Sequence, residues 1–220
     1  MKKKNYQFKL KNIWDVENTF YLKSKQSRIY KTICHYEIFK QSIKAKGSIV
    51  ECGVFKGVSL IRFLTFRNLI LKNQSKKVYG FDVFGNFPRQ NLKRDNNFAN
   101  YHNTKIGLGI SSENLKKNLK KKNFKNFKLI RGNIFKTVPN FLKSNKNFKI
   151  SFLHLDLDVY EPTLFALNAF FKHLSPRGVI LLDDYGLIDG ATEAVDEFIK
   201  KNNLKLKNLD FDRKLKFIVK

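Results

Sequence analysis

Apolar and polar positions change period several times along the chain, and each change marks an element. Short unbroken apolar runs at residues 48–53, 77–82, 128–133 and 150–156, and another ending at Asp183, predict strands buried on both faces. Helical spacing separates them: residues 60–71, the lysine-rich stretch around Leu115 and Leu119 capped by Ser111 or Ser112, residues 137–143, a helix opened by Glu161-Pro162, and residues 190–200. Alternation at residues 205–211 and 214–219 predicts two antiparallel strands joined by a turn around Asp212, which closes the sheet. Residues 1–46 mix aromatics and lysines helically, with Ile29, Ile33, Tyr36 and Phe39 spaced like one apolar face. They read as a helical extension or lid ahead of a main domain, residues 47–220. From Phe84 to Ile110 the pattern is polar and aperiodic and contains His102, a loop suited to covering a substrate.

Length and the 42% apolar content fit that organisation, with one sizeable core. Cys34 and Cys52 lack metal-ligand spacing and read as small core residues. No apolar h-region follows Met1-Lys2-Lys3-Lys4, and no run approaches about 20 uninterrupted apolar residues, so the expectation is a cytoplasmic protein without a membrane span. The net charge of +26 invites a nucleic-acid partner. The basic residues are scattered along the whole length, however, which reads as compositional bias. An anionic partner stays open.

The chemistry lies at the predicted strand ends. In a parallel α/β sheet ligands bind outside the carboxyl ends of the strands. Strands ending in Asp156-Leu157-Asp158 and Asp183-Asp184 therefore bring several carboxylates into one crevice, where an oxygen-only set suits a hard cation such as Mg²⁺. Turn formation at strand ends is the alternative for each Asp. Gly53 and Gly57 lie in a strand–turn–helix unit that can approach an anionic ligand, with Glu51 and Ser59 suited to an amino-acid moiety; plain turn geometry is the alternative. Asp82 follows the glycine turn by about 30 positions, where α/β nucleotide sites put a carboxylate on ribose hydroxyls. Asn133 ends a strand near the same crevice, and His154 reads as a satisfied buried histidine.

These motifs, together and in order, resemble the TylF/macrocin O-methyltransferase family of class I S-adenosylmethionine-dependent enzymes. The similar pieces are Glu51-Cys52-Gly53-Val54-Phe55-Lys56-Gly57-Val58-Ser59, Phe81-Asp82-Val83-Phe84, Arg131-Gly132-Asn133-Ile134-Phe135-Lys136-Thr137-Val138-Pro139, Asp156-Leu157-Asp158-Val159-Tyr160 and Asp183-Asp184-Tyr185-Gly186. The resemblance implies a Rossmann-like α/β fold with a mostly parallel seven-stranded sheet and a terminal antiparallel hairpin. It implies S-adenosylmethionine as donor, Mg²⁺ as cofactor and a sugar hydroxyl as acceptor, free, nucleotide-linked or lipid-linked, with a homodimer left open. On this footing Glu51, Gly53, Val54, Gly57 and Ser59 line the methionine part, Asp82 the ribose and Asn133 the adenine side. Asp156, Asp183 and Asp184 are the metal ligands, Asp158 the base, and Tyr160 and Tyr185 contact the acceptor. The loop Phe84-Gly85-Asn86-Phe87-Pro88 departs from the expected placement of its glycine, which bears on the acceptor. Two alternatives remain: a nucleic-acid methyltransferase, against which no Asn/Asp-Pro-Pro-Tyr motif and no pyrimidine-C5 cysteine context is present, and a non-catalytic module that binds S-adenosylmethionine.

Overall fold

Seven strands make one sheet: β1 (Ser48–Cys52), β2 (Val78–Asp82), β3 (Phe127–Arg131), β4 (Ile150–Leu155), β5 (Leu174–Leu182), β6 (Lys207–Leu209) and β7 (Asp212–Val219), in the spatial order β3-β2-β1-β4-β5-β7-β6. Pairs among the first five are parallel, and β7 lies antiparallel between β5 and β6. The computed structural model describes residues 12–71 and 74–220. The basic start of the chain and the first eleven residues of the expected helical extension lie outside the described residues. Two compact units are distinguished, one ending at Ile33 and the other running from Cys34 to Lys220.

The central strands are apolar on both sides because helices cover both. Val50, Cys52, Leu153, Leu155, Ile180 and Leu182 belong to one buried cluster, together with residues of α6 (Ile134–Ser144), α7 (Tyr160–Phe171) and α8 (Asp189–Asn202). Ile49, Phe152, Val179 and Leu181 belong to the opposite cluster, with α3 (Val58–Leu71) and α5 (Ser112–Lys121). Phe63 anchors this second layer, its ring 4.9 Å from that of Phe152. Full burial of such a side chain contributes about 1.5–3 kcal/mol.

Three local readings change. Helix α2 (Gln26–Gln41) buries Cys34, His35, Ile38 and Phe39; of the face drawn through Ile29, Ile33, Tyr36 and Phe39, Phe39 is buried and Tyr36 packs on the core, whereas Ile33 is exposed and Cys34, His35 and Ile38 take its place. The aperiodic stretch before Ile110 contains α4 (Lys93–Tyr101) and a π-helical turn, His102–Ile106. Helix α4 buries only Asp95 and Ala99 and docks through polar bonds: Asp95 accepts from the Tyr160 amide at 2.9 Å, and Arg94 pairs with Glu193 at 2.9 Å. A helix held this way shows no apolar stripe. The terminal hairpin turns before Asp212, whose carboxylate accepts from the Lys214 and Leu215 amides and so belongs to the start of β7. Among the described residues no helix is long and apolar enough to cross a membrane.

Both cysteines are buried core residues, as their sequence contexts indicate. Burial, reinforced by Asp212, pushes the Cys34 thiol up to about 12, and burial also raises Cys52. Only the thiolate attacks, and at pH 8 a thiol at that value is about one part in ten thousand ionised. A thiol-titrating disulfide reagent should therefore register almost nothing in the native protein within minutes and two thiols after denaturation. Rapid release of a full equivalent from native protein would contradict this burial.

Candidate active site

The strand order reverses between β1 and β4, and a cleft opens at their carboxyl ends, the position expected for a ligand in an open α/β sheet. It encloses about 810 Å³ of non-protein space, part of it open to solvent. Gly53, Asp82, Asn133, Asp156 and Asp158 stand on its wall, as do Phe55, Phe87, His102 and Phe135. Gly53, at φ +85°, admits no side chain: a Cβ there would lie 1.7 Å from the Asp156 carbonyl oxygen.

Asp82 does more than face the cleft. Its Oδ2 accepts from the amides of Val54 at 2.6 Å and Phe55 at 2.9 Å, and its Oδ1 from Phe84 at 2.6 Å. Phe55 and Phe84 both have left-handed backbones, at φ 50° and 54°, a costly conformation for a bulky residue. One carboxylate thus holds two strained turns in place. A carboxylate has about four lone-pair sites, so it retains capacity for a ligand hydroxyl.

Asn133 caps α6, its side chain accepting from the Phe135 amide at 2.9 Å. Phe135 is thereby placed on the wall beside Pro162 and Leu157. His102 is packed among Phe55, Phe87 and Phe98. Burial, aided by nearby Lys56, lowers its pKa, so the ring is neutral near pH 7. Periodicity gave no warning of Phe55, Phe87, His102 or Phe135, because their position depends on turns rather than on a repeating face.

The acidic residues divide by strand parity. Successive side chains of a strand point to opposite faces, so Asp183 continues the face of Val179 and Leu181, and Asp184 that of Ile180 and Leu182. Asp184 joins Asp156 and Asp158, and carboxylate oxygens of the three lie within 4.8 Å of one another. Asp158 has a left-handed backbone at φ 63°, and its amide donates to Asp184 Oδ2 at 2.9 Å. Sequence reasoning grouped Asp156, Asp183 and Asp184 and set Asp158 apart; the geometry groups Asp158 with the pair and sets Asp183 behind.

Behind the crevice lies a buried polar chain. Glu51 and His154 are register partners on β1 and β4, and Glu51 Oε1 is 3.0 Å from His154 Nδ1. His154 Nε2 is 3.4 Å from Asp183 Oδ1, which is also 3.0 Å from His35 Nε2. Burial opposes a charge on His154, but Asp183 and Glu51 outweigh it and hold the imidazolium up to about 10. Burial raises the Glu51 carboxyl, with His154 acting against it.

The remaining expected residues lie off the cleft wall. Gly57, at φ +82°, faces Leu115 of α5, where a Cβ would come within 2.6 Å of a methyl. Val54 is buried in the core, and Ser59, half-buried, hydrogen-bonds Glu51. Tyr160 and Tyr185 donate their hydroxyls to Glu197 and Asp196 of α8.

A seven-stranded doubly wound sheet with an antiparallel penultimate strand, and a glycine turn and acid-tipped second strand at its switch point, is the class I methyltransferase fold. Within that class, residues 28–217 match the Macrocin-O-methyltransferase (TylF) family, and the chain belongs to it. It is 24% identical over 176 residues to demethyldecarbamoylnovobiocin O-methyltransferase of Streptomyces niveus, covering 76% of this chain and 63% of that protein. It is 26% identical over 163 residues to 8-demethyl-8-(2,3-dimethoxy-alpha-L-rhamnosyl)-tetracenomycin-C 4'-O-methyltransferase of Streptomyces olivaceus, covering 69% of this chain and 58% of that one. The chain thus spans about three fifths of the length of these two curated relatives. In fold it matches a calicheamicin methyltransferase at TM-score 0.77, 21% identity, 94% of this chain and 85% of that one. It matches the O-methyltransferase NovP at TM-score 0.74, 21% identity, 86% of this chain and 79% of that one.

Asp82→Ala should destabilise the protein as well as alter its cleft. Three charge-assisted bonds of about 1.5–3 kcal/mol each are lost, and relaxation of two strained residues at about 1–3 kcal/mol each offsets part of that, leaving about 2–4 kcal/mol. The urea midpoint of the variant should fall accordingly, and an unchanged midpoint would show that Asp82 does not hold these turns.

Proposed function

We propose that the protein transfers a methyl group from S-adenosylmethionine to a hydroxyl of a sugar or sugar-containing small molecule, with Mg²⁺ held at the acid crevice. The observation that carries this reading is the convergence of Gly53, Asp82 and Asn133 with Asp156 and Asp158 on one cleft at the sheet's switch point. Family membership supports it, and one relative's name specifies methylation of a rhamnosyl-bearing compound.

The residues fit both groups. A turn with no room for a Cβ lets backbone approach the methionine part of the donor, with Val54, Gly57 and Ser59 shaping the turn and Glu51 beneath it. Asp82 takes the ribose hydroxyls. Asn133, Phe135 and Pro162 flank the adenine. When bound, S-adenosylmethionine supplies an electrophilic sulfonium methyl; its transfer to the hydroxyl oxygen breaks the S–C bond, leaves S-adenosylhomocysteine and sets free the hydroxyl proton.

Three close carboxylates form an oxygen-only donor set suited to a hard cation. Asp156 and Asp184 would hold it, and Mg²⁺ so held would lend Lewis acidity to the acceptor hydroxyl. Asp158 stands on the cleft wall beside the donor residues and takes the proton. Asp183 acts from behind the crevice. Tyr160 and Tyr185, which follow the two acid tips, are assigned to the acceptor side. Most of the acceleration then comes from holding acceptor and donor in line.

A methyl-transfer assay with labelled donor, across sugar-bearing acceptors and RNA, with Mg²⁺ titrated, tests the assignment. Asp158→Asn should lower turnover by about 10²–10⁴-fold with an unchanged Mg²⁺ requirement. Asp184→Asn should need more Mg²⁺ and recover partly when it is supplied. Recovery of Asp158→Asn by added metal would remove its role as base. The charge of +26 favours one rival, nucleic-acid methylation. Activity on polyphosphate acceptors should fall by about 10³–10⁵-fold between 50 and 200 mM salt when many phosphates are contacted. Activity confined to RNA with that dependence would replace the sugar reading.

A further inference from the structure

We infer that His35 and His154 are positioning residues that hold Asp183 on the α3 side of the sheet, and thereby set Asp184 beside Asp156 for cation binding. The inference rests on the cation reading of the crevice and adds to it a support that neither the acid motifs nor the family match assigns.

Asp183 and Asp184 are adjacent, so with one carboxylate pointing forward the other points behind, and a peptide that holds Asp183 in place also orients Asp184. Asp183 is 4% exposed, and a buried carboxylate that loses its donor is strongly destabilised. His35 and His154, both fully buried, supply that anchorage at 3.0 and 3.4 Å from the same oxygen. Each ring is fixed in turn. His35 stacks on Phe63, with centroids 5.4 Å apart and planes 11° from parallel. His154 is edge-on to the same Phe63 at 5.0 Å and is held through Nδ1 by Glu51. On the forward side, Asp184 receives the Asp158 amide at 2.9 Å, and Asp158 keeps a left-handed backbone at φ 63°. A shift of Asp183 therefore passes through one peptide to Asp184 and on to Asp158. His35 lies on α2, so a residue of the amino-terminal part of the chain governs the crevice without lining it.

The same two imidazoles and carboxylate would also suit a zinc ion. Measurement separates that arrangement from a hydrogen-bonded one.

The test uses the full chain and a cation-binding readout, with free Mn²⁺ followed by electron paramagnetic resonance. S-Adenosylhomocysteine affinity is measured by calorimetry on the same samples. His35→Leu removes the nearer of the two imidazoles on Asp183. His35→Gln keeps an N–H near the Nε2 position. Loss of a group that supports a metal ligand costs about 10–100-fold in metal affinity. His35→Leu should show that loss with S-adenosylhomocysteine affinity kept within about twofold, and His35→Gln should return Mn²⁺ affinity to within about threefold of the parent. If His35→Leu fails to fold, His35→Asn, whose amide stops short of Asp183, provides the comparison. Unchanged Mn²⁺ affinity in His35→Leu overturns the inference, as does His35→Gln as weak as His35→Leu, or parallel loss of both ligands. Absence of Mn²⁺ binding in the parent also overturns it, as does one equivalent of zinc that disappears in His35→Gln. A parent that binds Mn²⁺ but no S-adenosylhomocysteine would sink the donor reading and leave this one standing.

Discussion

The ends of β1 and β4 meet so closely that Gly53 has no room for a Cβ against the Asp156 carbonyl, and much of the molecule is arranged around that contact. The Asp156 amide donates to the Cys52 carbonyl at 2.9 Å and the Gly53 amide to that of Phe81 at 3.0 Å, so three strand tips are pinned together. From this point the chain leaves β1 in one direction and β4 in another, which creates the cleft. The glycine is demanded by the approach of another strand's backbone, in addition to any ligand.

That pinning concentrates charge. Glu51, Asp82, Asp156, Asp158, Asp183 and Asp184 gather near the carboxyl ends of four strands in a chain with 18 acidic residues and a net charge of +26. They are tolerated together because each subset has its own compensation. Backbone amides neutralise Asp82, and buried imidazoles serve Glu51 and Asp183. In the crevice the Asp158 amide donates to Asp184, which stands within 4.8 Å of the carboxylates of Asp156 and Asp158. The opposite directions of Asp183 and Asp184 allow one pair of adjacent residues to serve two of these compartments.

The sequence made the sheet legible because strands buried on both faces are continuous apolar runs, and because Pro162 and Ser111 stand at helix starts. It located the cleft, since Asp82 ends a strand and Gly53, Asn133 and Asp156 lie just past strand ends. Which acids meet was less legible. Parity along one strand separates Asp183 from Asp184, but the pairing of Glu51 with His154 depends on inter-strand register, and the pairing of His35 with Asp183 on how α2 packs. Helix α4 escaped notice because Asp95 and Arg94, rather than an apolar stripe, dock it.

Whether this cleft binds the methyl donor is decided by a crystal structure of the chain with S-adenosylhomocysteine. The ligand should lie across the β1–β4 switch point, its ribose hydroxyls on Asp82, its adenine beside Asn133 and Phe135, and its amino-acid end over Gly53. Ligand density elsewhere on the molecule, or in the cleft with the ribose away from Asp82, would contradict it.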